Sequence, residues 1–445
     1  MPDPNTVPAT NIPLSQSTSE PPDDFAEVLD RLTHAVASQL GLVTESPSLL
    51  GTLFYLGDGL QRSVTDGIFD LFRPQTWNPV NLFRLSSEAV RQTAQLASLL
   101  DPEQARLAWQ ELRNKLEIFV LVKNLPERLG LPADEFTPLP ELVEKAYSVS
   151  PFEALWAVEG LGHYYTDMYW KHKGDPNGLL SEEQALVPTK SLLMLHAGMG
   201  LAFADRLLET LDPDAPSESQ TFSVLKQFIS LCESNARPGY LGAAIESLGI
   251  VTRDFYPDSL DVVQRQLQIL APQFAGFFWH GVGRGFYFSR EYFLPVLSTV
   301  SNAVEYEVSN CADRKSAMAG LAWAVTLVNM RQPAIMENIL LRQTEQLSLA
   351  DAFTNGVASS IIMREDTTPN EPFTSTFYQY SPGNPLTRAL WERLISSPTR
   401  AALHNYYPIL KECSALDQVF RYQDLAALVF RLQNEHVEVG AHAWN

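Results

Sequence analysis

Apolar residues at helical spacing fill most of the chain between residues 140 and 345, and short polar breaks interrupt them. The breaks are rich in glycine, proline, asparagine and aspartate, as at 173–178, 212–216, 237–239 and 309–313. These residue types favour turns, because they tolerate or impose the backbone angles that a turn needs. Strand-like alternation of apolar and polar positions is rare, so the pattern predicts an all-α protein.

Five segments in this region repeat one local pattern, in which small residues are followed by bulky apolar residues. The segments align on Gly162, Gly200, Gly249, Gly283 and Ala322, which lie roughly 34 to 49 residues apart. A period of this size is typical of stacked supersecondary units, most often pairs of helices. The repeat therefore predicts a helical-repeat, solenoid-like array of helix pairs with glycine-rich contacts between helices.

Glycine recurs inside the predicted helices, at Gly160, Gly162, Gly198 and Gly200 among other positions. Each such glycine costs about 1 kcal/mol relative to alanine in a helix. A repeated cost implies a repeated benefit, and the usual benefit is close approach of two backbones. We therefore expect these helices to pack at unusually short distance.

Changes in composition divide the chain into four regions. Residues 1–22 are rich in proline and serine and are predicted to be a disordered tail. Residues 23–139 are predicted to be an N-terminal helical region, in which Asp101, Pro102 and Glu103 form a helix start. Residues 140–345 form the repeat core. Residues 346–445 are predicted to hold C-terminal helices, with a long proline-rich loop at 364–387.

Charge and composition narrow the classes of partner. The net charge is −20 and the pI is about 4.8, so the chain repels phosphate backbones and nucleic acid is an unsuitable partner. Three widely spaced cysteines give neither a disulfide framework nor a metal-binding pair, which favours the cytoplasm. Residues 1–22 lack the basic start and apolar run of a secretory signal. The chain has no run of about 18 apolar residues, so we expect no transmembrane segment.

Chemically capable residues share helical phase around the aligned small residues. Two carboxylates, two imidazoles and one guanidinium lie three residues before or one residue after them: Glu159, His163, Glu246, His280 and Arg284. Five residues after them come Asp167, Asp205 and Asp254, a column that is typical of a solvated face or a helix cap. His196, beside a run of small residues, is typical of a packed core histidine.

Two hypotheses fit these five candidates. In the first, Glu159 and Glu246 pair with Arg284 and lock the repeat units together as a structural ion network. In the second, the five side chains line one pocket and perform acid–base chemistry. Glu159, His163, Glu246 and His280 are also weak candidates for binding iron, manganese or zinc. No motif for a phosphate loop, a nucleophile elbow or a zinc protease is present, and the residues do not indicate which cofactor the protein uses.

The segment 278–288, Phe-Trp-His-Gly-Val-Gly-Arg-Gly-Phe-Tyr-Phe, resembles a bacterial family of unknown function that occurs in enediyne polyketide gene clusters. That family carries a Gly-x-Gly-Arg-Ala-Leu-Trp-Phe-like segment, preceded by a Glu-Gly, a Gly-x-Gly-Phe-Ala and an Asp-Gly unit. The corresponding stretches here are 159–160, 198–204 and 246–247, and 320–324 follows in the same order. Ser247 and Gly285 depart from the family pattern. The resemblance covers about 140–340.

The resemblance implies a role in bacterial natural-product biosynthesis, in the cytoplasm, on polyketide- or polyene-type chains. It carries no catalytic assignment. The protein would then be an accessory protein, either an enzyme or a carrier for a hydrophobic chain, with Arg284 and His280 at the polar end. The alternative is a non-catalytic helical scaffold that binds a biosynthetic partner protein along a concave face. Neither the oligomeric state nor the substrate follows from the residues.

Overall fold

The computed structural model describes residues 102–132, 135–181, 186–212, 216–289, 292, 300–342 and 349–442. Within these ranges every regular element is a helix, which confirms the prediction of an all-α protein. The predicted tail at 1–22 and most of the N-terminal region at 23–139 lie outside the described residues. The predicted helix start at Pro102 is the first described residue of a helix.

The described residues contain eighteen α-helical segments. They are α1 (Pro102–Lys123), α2 (Leu125–Arg128), α3 (Leu139–Ser148), α4 (Pro151–Lys173), α5 (Leu192–Leu208), α6 (Glu218–Asn235), α7 (Leu241–Phe255), α8 (Leu260–Leu270), α9 (Ala275–Phe288), α10 (Val300–Glu307), α11 (Cys311–Asn329), α12 (Pro333–Arg342), α13 (Ala350–Thr367), α14 (Pro372–Gln379), α15 (Pro385–Trp391), α16 (Ser397–Ala401), α17 (Tyr407–Glu412) and α18 (Leu425–His442). Two π-helical turns, Glu392–Ser396 and Ala402–Tyr406, join α15, α16 and α17. Short 3₁₀ turns lie at Thr189–Ser191, Pro257–Ser259, Pro272–Phe274 and Leu416–Phe420.

Helix α4 has clear start and stop signals. Ser150 is the N-cap: its Oγ accepts from the Glu153 amide at 3.3 Å and donates to the Glu153 carboxylate at 2.7 Å. Pro151 fills the first helical position, where no amide hydrogen is needed. Gly174 follows the helix with a φ of 90°, which other residues rarely adopt. These signals fix the register of α4, which carries Glu159 inward.

Six long helices form the core, and each packs against the next: α4, α5, α7, α9, α11 and α13. Their glycines touch neighbouring backbone. A Cβ added at Gly198 would lie 1.9 Å from the Glu159 carbonyl oxygen, one at Gly249 1.9 Å from that of Phe278, and one at Gly283 1.9 Å from that of Ala317. The predicted close approach of backbones is therefore confirmed.

Paired contacts give the relative direction of neighbouring core helices. The Ser247 hydroxyl donates to the Ala197 carbonyl oxygen at 2.8 Å, while Gly200 lies against Ala244. Residue numbers rise on α5 as they fall on α7, so these helices are antiparallel. The same holds for α9 and α11, where Gly283 lies against Ala317 and Gly320 against His280.

The first and last core helices are also in contact. Arg364 of α13 donates to the carbonyl oxygens of Pro151 and Phe152 on α4, at 2.8 and 3.0 Å. An open array, in which each unit contacts only its neighbours, does not require such a contact. The core is therefore held together by links between distant parts of the chain as well as by neighbour packing.

The predicted loop at 364–387 is wrong. Arg364 lies in the last turn of α13, and α14 and α15 occupy much of the remaining segment. Two of the four prolines in this segment stand at helix starts, since Pro372 and Pro385 lie in the first turns of α14 and α15. Proline suits such a position because its missing amide hydrogen would have no partner there.

Among the described residues one stretch, Thr189–Leu208, is long and apolar enough by length and composition to cross a membrane, and 83% of its most apolar part is buried within the protein. It contains α5, which packs between α4 and α7. The absence of a transmembrane segment stays a prediction. Cys232, Cys311 and Cys413 form no disulfide.

Candidate functional site

Four of the five candidate residues meet in the middle of the core, and we call Glu159, Glu246, His280 and Arg284 the central polar cluster. The Arg284 guanidinium donates from Nη2 to Glu159 Oε1 at 2.8 Å and from Nη1 to Glu246 Oε2 at 2.9 Å. His280 Nδ1 lies 2.9 Å from Glu246 Oε1. Helices α4, α7 and α9 supply these side chains, and Glu159 and Glu246 both pair with Arg284, which is the contact that the first hypothesis expects.

Glycine contacts explain why these side chains meet. Gly281 lies against the Glu246 carbonyl oxygen, and Gly249 lies against that of Phe278. Because α7 and α9 lie this close, the Glu246 side chain faces one helical turn of α9. That turn carries His280 and Arg284, which are four residues apart and share one face of the helix. The repeat of small residues thus places the charged groups at hydrogen-bonding distance.

The cluster is buried and carries more negative than positive groups. The side chains of Glu246 and His280 are fully buried, whereas Arg284 is 4% and Glu159 6% exposed. Burial raises the pKa of Glu159, and the attraction of Arg284 opposes this rise. Burial lowers the pKa of His280, against its hydrogen bond to Glu246. Two carboxylates thus share one guanidinium beside an imidazole that favours its neutral form.

Aromatic rings surround the cluster. The Arg284 guanidinium carbon lies 4.0 Å from the ring centroid of Trp323, a cation–π distance. The Trp323 ring is 6.3 Å from Trp156, 6.2 Å from His280 and 5.9 Å from Phe420, measured between centroids. The charges therefore lie in a largely apolar setting, where electrostatic interactions are stronger than in water.

Several polar atoms of this site make no hydrogen bond within the described part of the chain. They include Arg284 Nε, His280 Nε2 and the indole nitrogens of Trp156 and Trp323. The guanidinium itself contacts Oε1 of Glu159, at 2.8 Å. If Glu246 is ionised, His280 donates from Nδ1, and its Nε2 is then an unused acceptor. The site therefore offers both donors and acceptors.

His163, the fifth candidate, lies outside the central polar cluster. Its Nδ1 is 3.2 Å from Asp167 Oδ2, one turn along α4, and the two side chains are 35% and 49% exposed. His163 shares the face of α4 that carries Glu159, as its spacing predicted. Because it lies one turn further along the helix, however, its side chain is partly exposed to solvent. Asp205 lies near Asp167 on α5, since its charge contributes to raising the Asp167 pKa.

The metal hypothesis finds no matching arrangement. Within the described ranges no three His, Cys, Asp or Glu side chains are grouped to hold a metal ion. The space between Glu159 and Glu246 is taken by the Arg284 guanidinium, which already provides the positive charge that both carboxylates need. His163 is directed to a different partner from His280.

Sequence reasoning missed a second buried polar group, between α1, α9 and α11. The Tyr287 hydroxyl donates to Glu111 Oε1 at 2.8 Å and accepts from the Asn329 amide at 2.8 Å. Lys115 Nζ lies 3.9 Å from the Tyr287 ring centroid, and burial lowers the Lys115 pKa to about 8. The available sequence signal was the spacing of Glu111 and Lys115, which lie four residues apart and therefore share one face of the helix.

Comparison with protein-family models, with curated proteins and with solved structures gives no match.

Proposed function

We propose that this protein is an accessory protein of bacterial natural-product biosynthesis that encloses a hydrophobic, polyketide- or polyene-type chain. The polar end of that chain would lie at the central polar cluster, beside Glu159 and Arg284. The segments that carry the family resemblance include both residues. We also propose that the protein is cytoplasmic and that its binding partner is the hydrophobic small molecule.

The observation that carries this proposal is the unused hydrogen-bonding capacity of the cluster. Buried polar atoms in proteins nearly always have a partner, and an exception calls for a reason such as a bound water or ligand. Here Arg284 Nε and the indole groups of Trp156 and Trp323 can donate a hydrogen bond, and His280 Nε2 can accept one. A purely structural ion network gains nothing from leaving so many groups unsatisfied.

The charge of the site determines which polar group at the end of a bound chain is favoured. With both carboxylates ionised, the cluster carries one excess negative charge. A carboxylate ligand about 4 Å from that excess charge would be repelled by roughly 4 kcal/mol at an effective dielectric constant of about 20. A neutral hydroxyl or carbonyl group avoids this repulsion and still uses the free donors and acceptors. We therefore propose a neutral oxygen function at the end of the chain.

Acid–base work at this end is compatible with the groups present. The Glu159 carboxyl, with its raised pKa, can hold a proton nearer to neutral pH than an exposed glutamate, and His280 can accept one at Nε2. An enzyme would use these groups to move a proton on the bound chain. A carrier would use them only as hydrogen-bonding partners and release the chain unchanged.

Three ligands of equal length test the proposal: dodecanol, dodecanoic acid and dodecane, titrated by isothermal calorimetry. Dodecanol should bind tightest, because only it combines an apolar chain with a neutral polar end. Glu159→Gln should weaken dodecanol binding by about tenfold, the value of one hydrogen bond of about 1.4 kcal/mol. Glu233→Gln, an equal change of charge at an exposed site on α6, is the control. Equal affinity for all three ligands, or no binding, would refute the proposal.

The alternative of a non-catalytic scaffold also has one observation in its favour. Arg284 bridges two carboxylates from different helices, which is what a structural lock between units requires. We propose on the same grounds that the five aligned segments are structural repeats of one helical unit. In a scaffold, Glu159→Gln would change stability without affecting any ligand, and the partner would be a biosynthetic protein on the surface.

A further inference from the structure

One face of α4 carries three polar residues between the buried cluster and the surface. Glu159, His163 and Asp167 are spaced four residues apart, so their side chains follow one another along the same side of the helix. Their exposed fractions rise outward, from 6% for Glu159 to 35% for His163 and 49% for Asp167. His163 Nδ1 and Asp167 Oδ2 are already 3.2 Å apart.

The same line of polar groups continues inward. Glu159 Oε1 contacts Arg284, Arg284 contacts Glu246, and Glu246 contacts His280. One helical turn of α4 thus separates two groups of polar side chains: His163 with Asp167 towards solvent, and Glu159 with the rest of the central polar cluster inside. Other positions of α4 carry buried apolar residues that pack in the core, among them Leu155, Val158 and Leu161.

We infer that His163 and Asp167 form a relay that carries protons between solvent and Glu159 Oε2. The imidazole accepts a proton on the nitrogen facing Asp167 and releases one from its other nitrogen, so that the ring returns to its neutral form. One helical turn separates the Cβ atoms of His163 and Glu159 by about 5–6 Å, a gap that one water molecule can bridge. The relay rests on the proposed function, because protons are needed at Glu159 only if the cluster does acid–base work.

The charges around the relay suit this role. Burial raises the pKa of Asp167, His163 and Arg206 lower it, and Asp205 raises it further. Asp205 and Arg206 belong to α5, which packs alongside α4. At the inner end, Glu159 faces Arg284 of α9, with Glu246 of α7 behind it. Asp167 is thus placed to gather protons, and Glu159 to hold one.

A pH jump on the full-length, ligand-free protein tests the relay. Infrared spectroscopy follows the band of the protonated Glu159 carboxyl, which Glu159→Gln identifies by its loss. His163→Ala should slow proton uptake by about tenfold or more, with the equilibrium midpoint unchanged. Added imidazole should restore the rate, which no purely structural role of His163 would permit. His172→Ala removes another exposed histidine of α4 and should leave the rate unchanged.

Three outcomes would overturn the relay: an unchanged rate in His163→Ala, a slow rate that imidazole fails to restore, or no titrating band that Glu159→Gln removes. His163→Gln replaces His163→Ala if circular dichroism shows that the alanine variant is unfolded, with the same expected results. Because the protein is free of ligand throughout, failure of dodecanol to bind would refute the proposed function without affecting this result.

Discussion

Gly283 provides a quantitative test of the helix packing. A Cβ at this position would lie 1.9 Å from the carbonyl oxygen and 2.8 Å from the Cα of Ala317. Carbon and oxygen come no closer than about 3.3 Å even in short C–H···O contacts, so relieving the 1.9 Å contact requires Gly283→Ala to push α9 and α11 apart by roughly 1.4 Å. Both clashing groups are backbone, so no change of side-chain rotamer relieves the contact.

The expected cost follows from three contributions. Alanine gains about 1 kcal/mol over glycine in helix propensity. Overpacking a core costs about 1–3 kcal/mol, and separating two backbones belongs at or above the upper end of that range. A gap of 0.5–1 Å also forfeits about a quarter to a half of the dispersion energy along the contact. We expect Gly283→Ala to lower the free energy of unfolding by about 2 kcal/mol or more.

The assay is urea denaturation followed by circular dichroism, with Gly276→Ala as the control on the same helix. The nearest atoms to a Cβ at Gly276 are Arg421 Cβ at 3.6 Å, then Arg421 Cδ and Ser316 Oγ at 3.8 Å, which are ordinary contacts. Gly276→Ala should therefore be neutral or stabilising by up to about 1 kcal/mol. Equal stability of the two variants would refute the account of glycine as a close-contact residue.

Two further predictions concern buried groups outside the central polar cluster. His196 Nε2 accepts a hydrogen bond from the Arg237 amide, and burial lowers the pKa of His196 from 6.5 to about 4. Below about pH 6.5 the unfolded chain therefore binds a proton that the folded protein does not, and the free energy of unfolding should fall as the pH drops. At pH 5 this group should lower the free energy of unfolding by about 2 kcal/mol relative to neutral pH. Denaturation at both pH values should show this loss in the wild type but not in His196→Gln. Equal losses in both proteins would exclude His196 as the cause. Arg364→Met removes the two hydrogen bonds from α13 to the first turn of α4 and should lower the free energy of unfolding by about 1–3 kcal/mol; an unchanged urea midpoint would contradict that expectation.

The central polar cluster could be predicted because its geometry is local to the repeated pattern. Glu246, His280 and Arg284 lie at fixed helical offsets from glycines that touch the neighbouring helix, so aligning the glycines aligns the side chains. His163 has the same phase, but its depth depends on where the neighbouring helices end. The spacing of apolar positions along the sequence does not indicate how deeply this side chain is buried.

Long-range contacts and proline-rich segments were harder to infer. The link from Arg364 to Pro151 joins residues more than 200 positions apart, and nothing in either local sequence indicates the other. The prolines at 372 and 385 fit both a loop and a helix start, and only the packing of α14 and α15 decides between them. The pairing of Lys115 with Tyr287 depends in the same way on how α1 meets α9.

Photo-crosslinking tests the central claim most directly, because it reports where a hydrophobic chain with a neutral polar end is bound. A dodecanol analogue with a diazirine next to its hydroxyl group would be irradiated with the protein, and the adducts mapped by mass spectrometry. The account predicts labelling of α4 and α11 near Trp156 and Trp323, suppressed by excess dodecanol and reduced in Glu159→Gln. Labelling confined to exposed residues, or unaffected by excess dodecanol, would contradict the assignment of the central polar cluster as a ligand site.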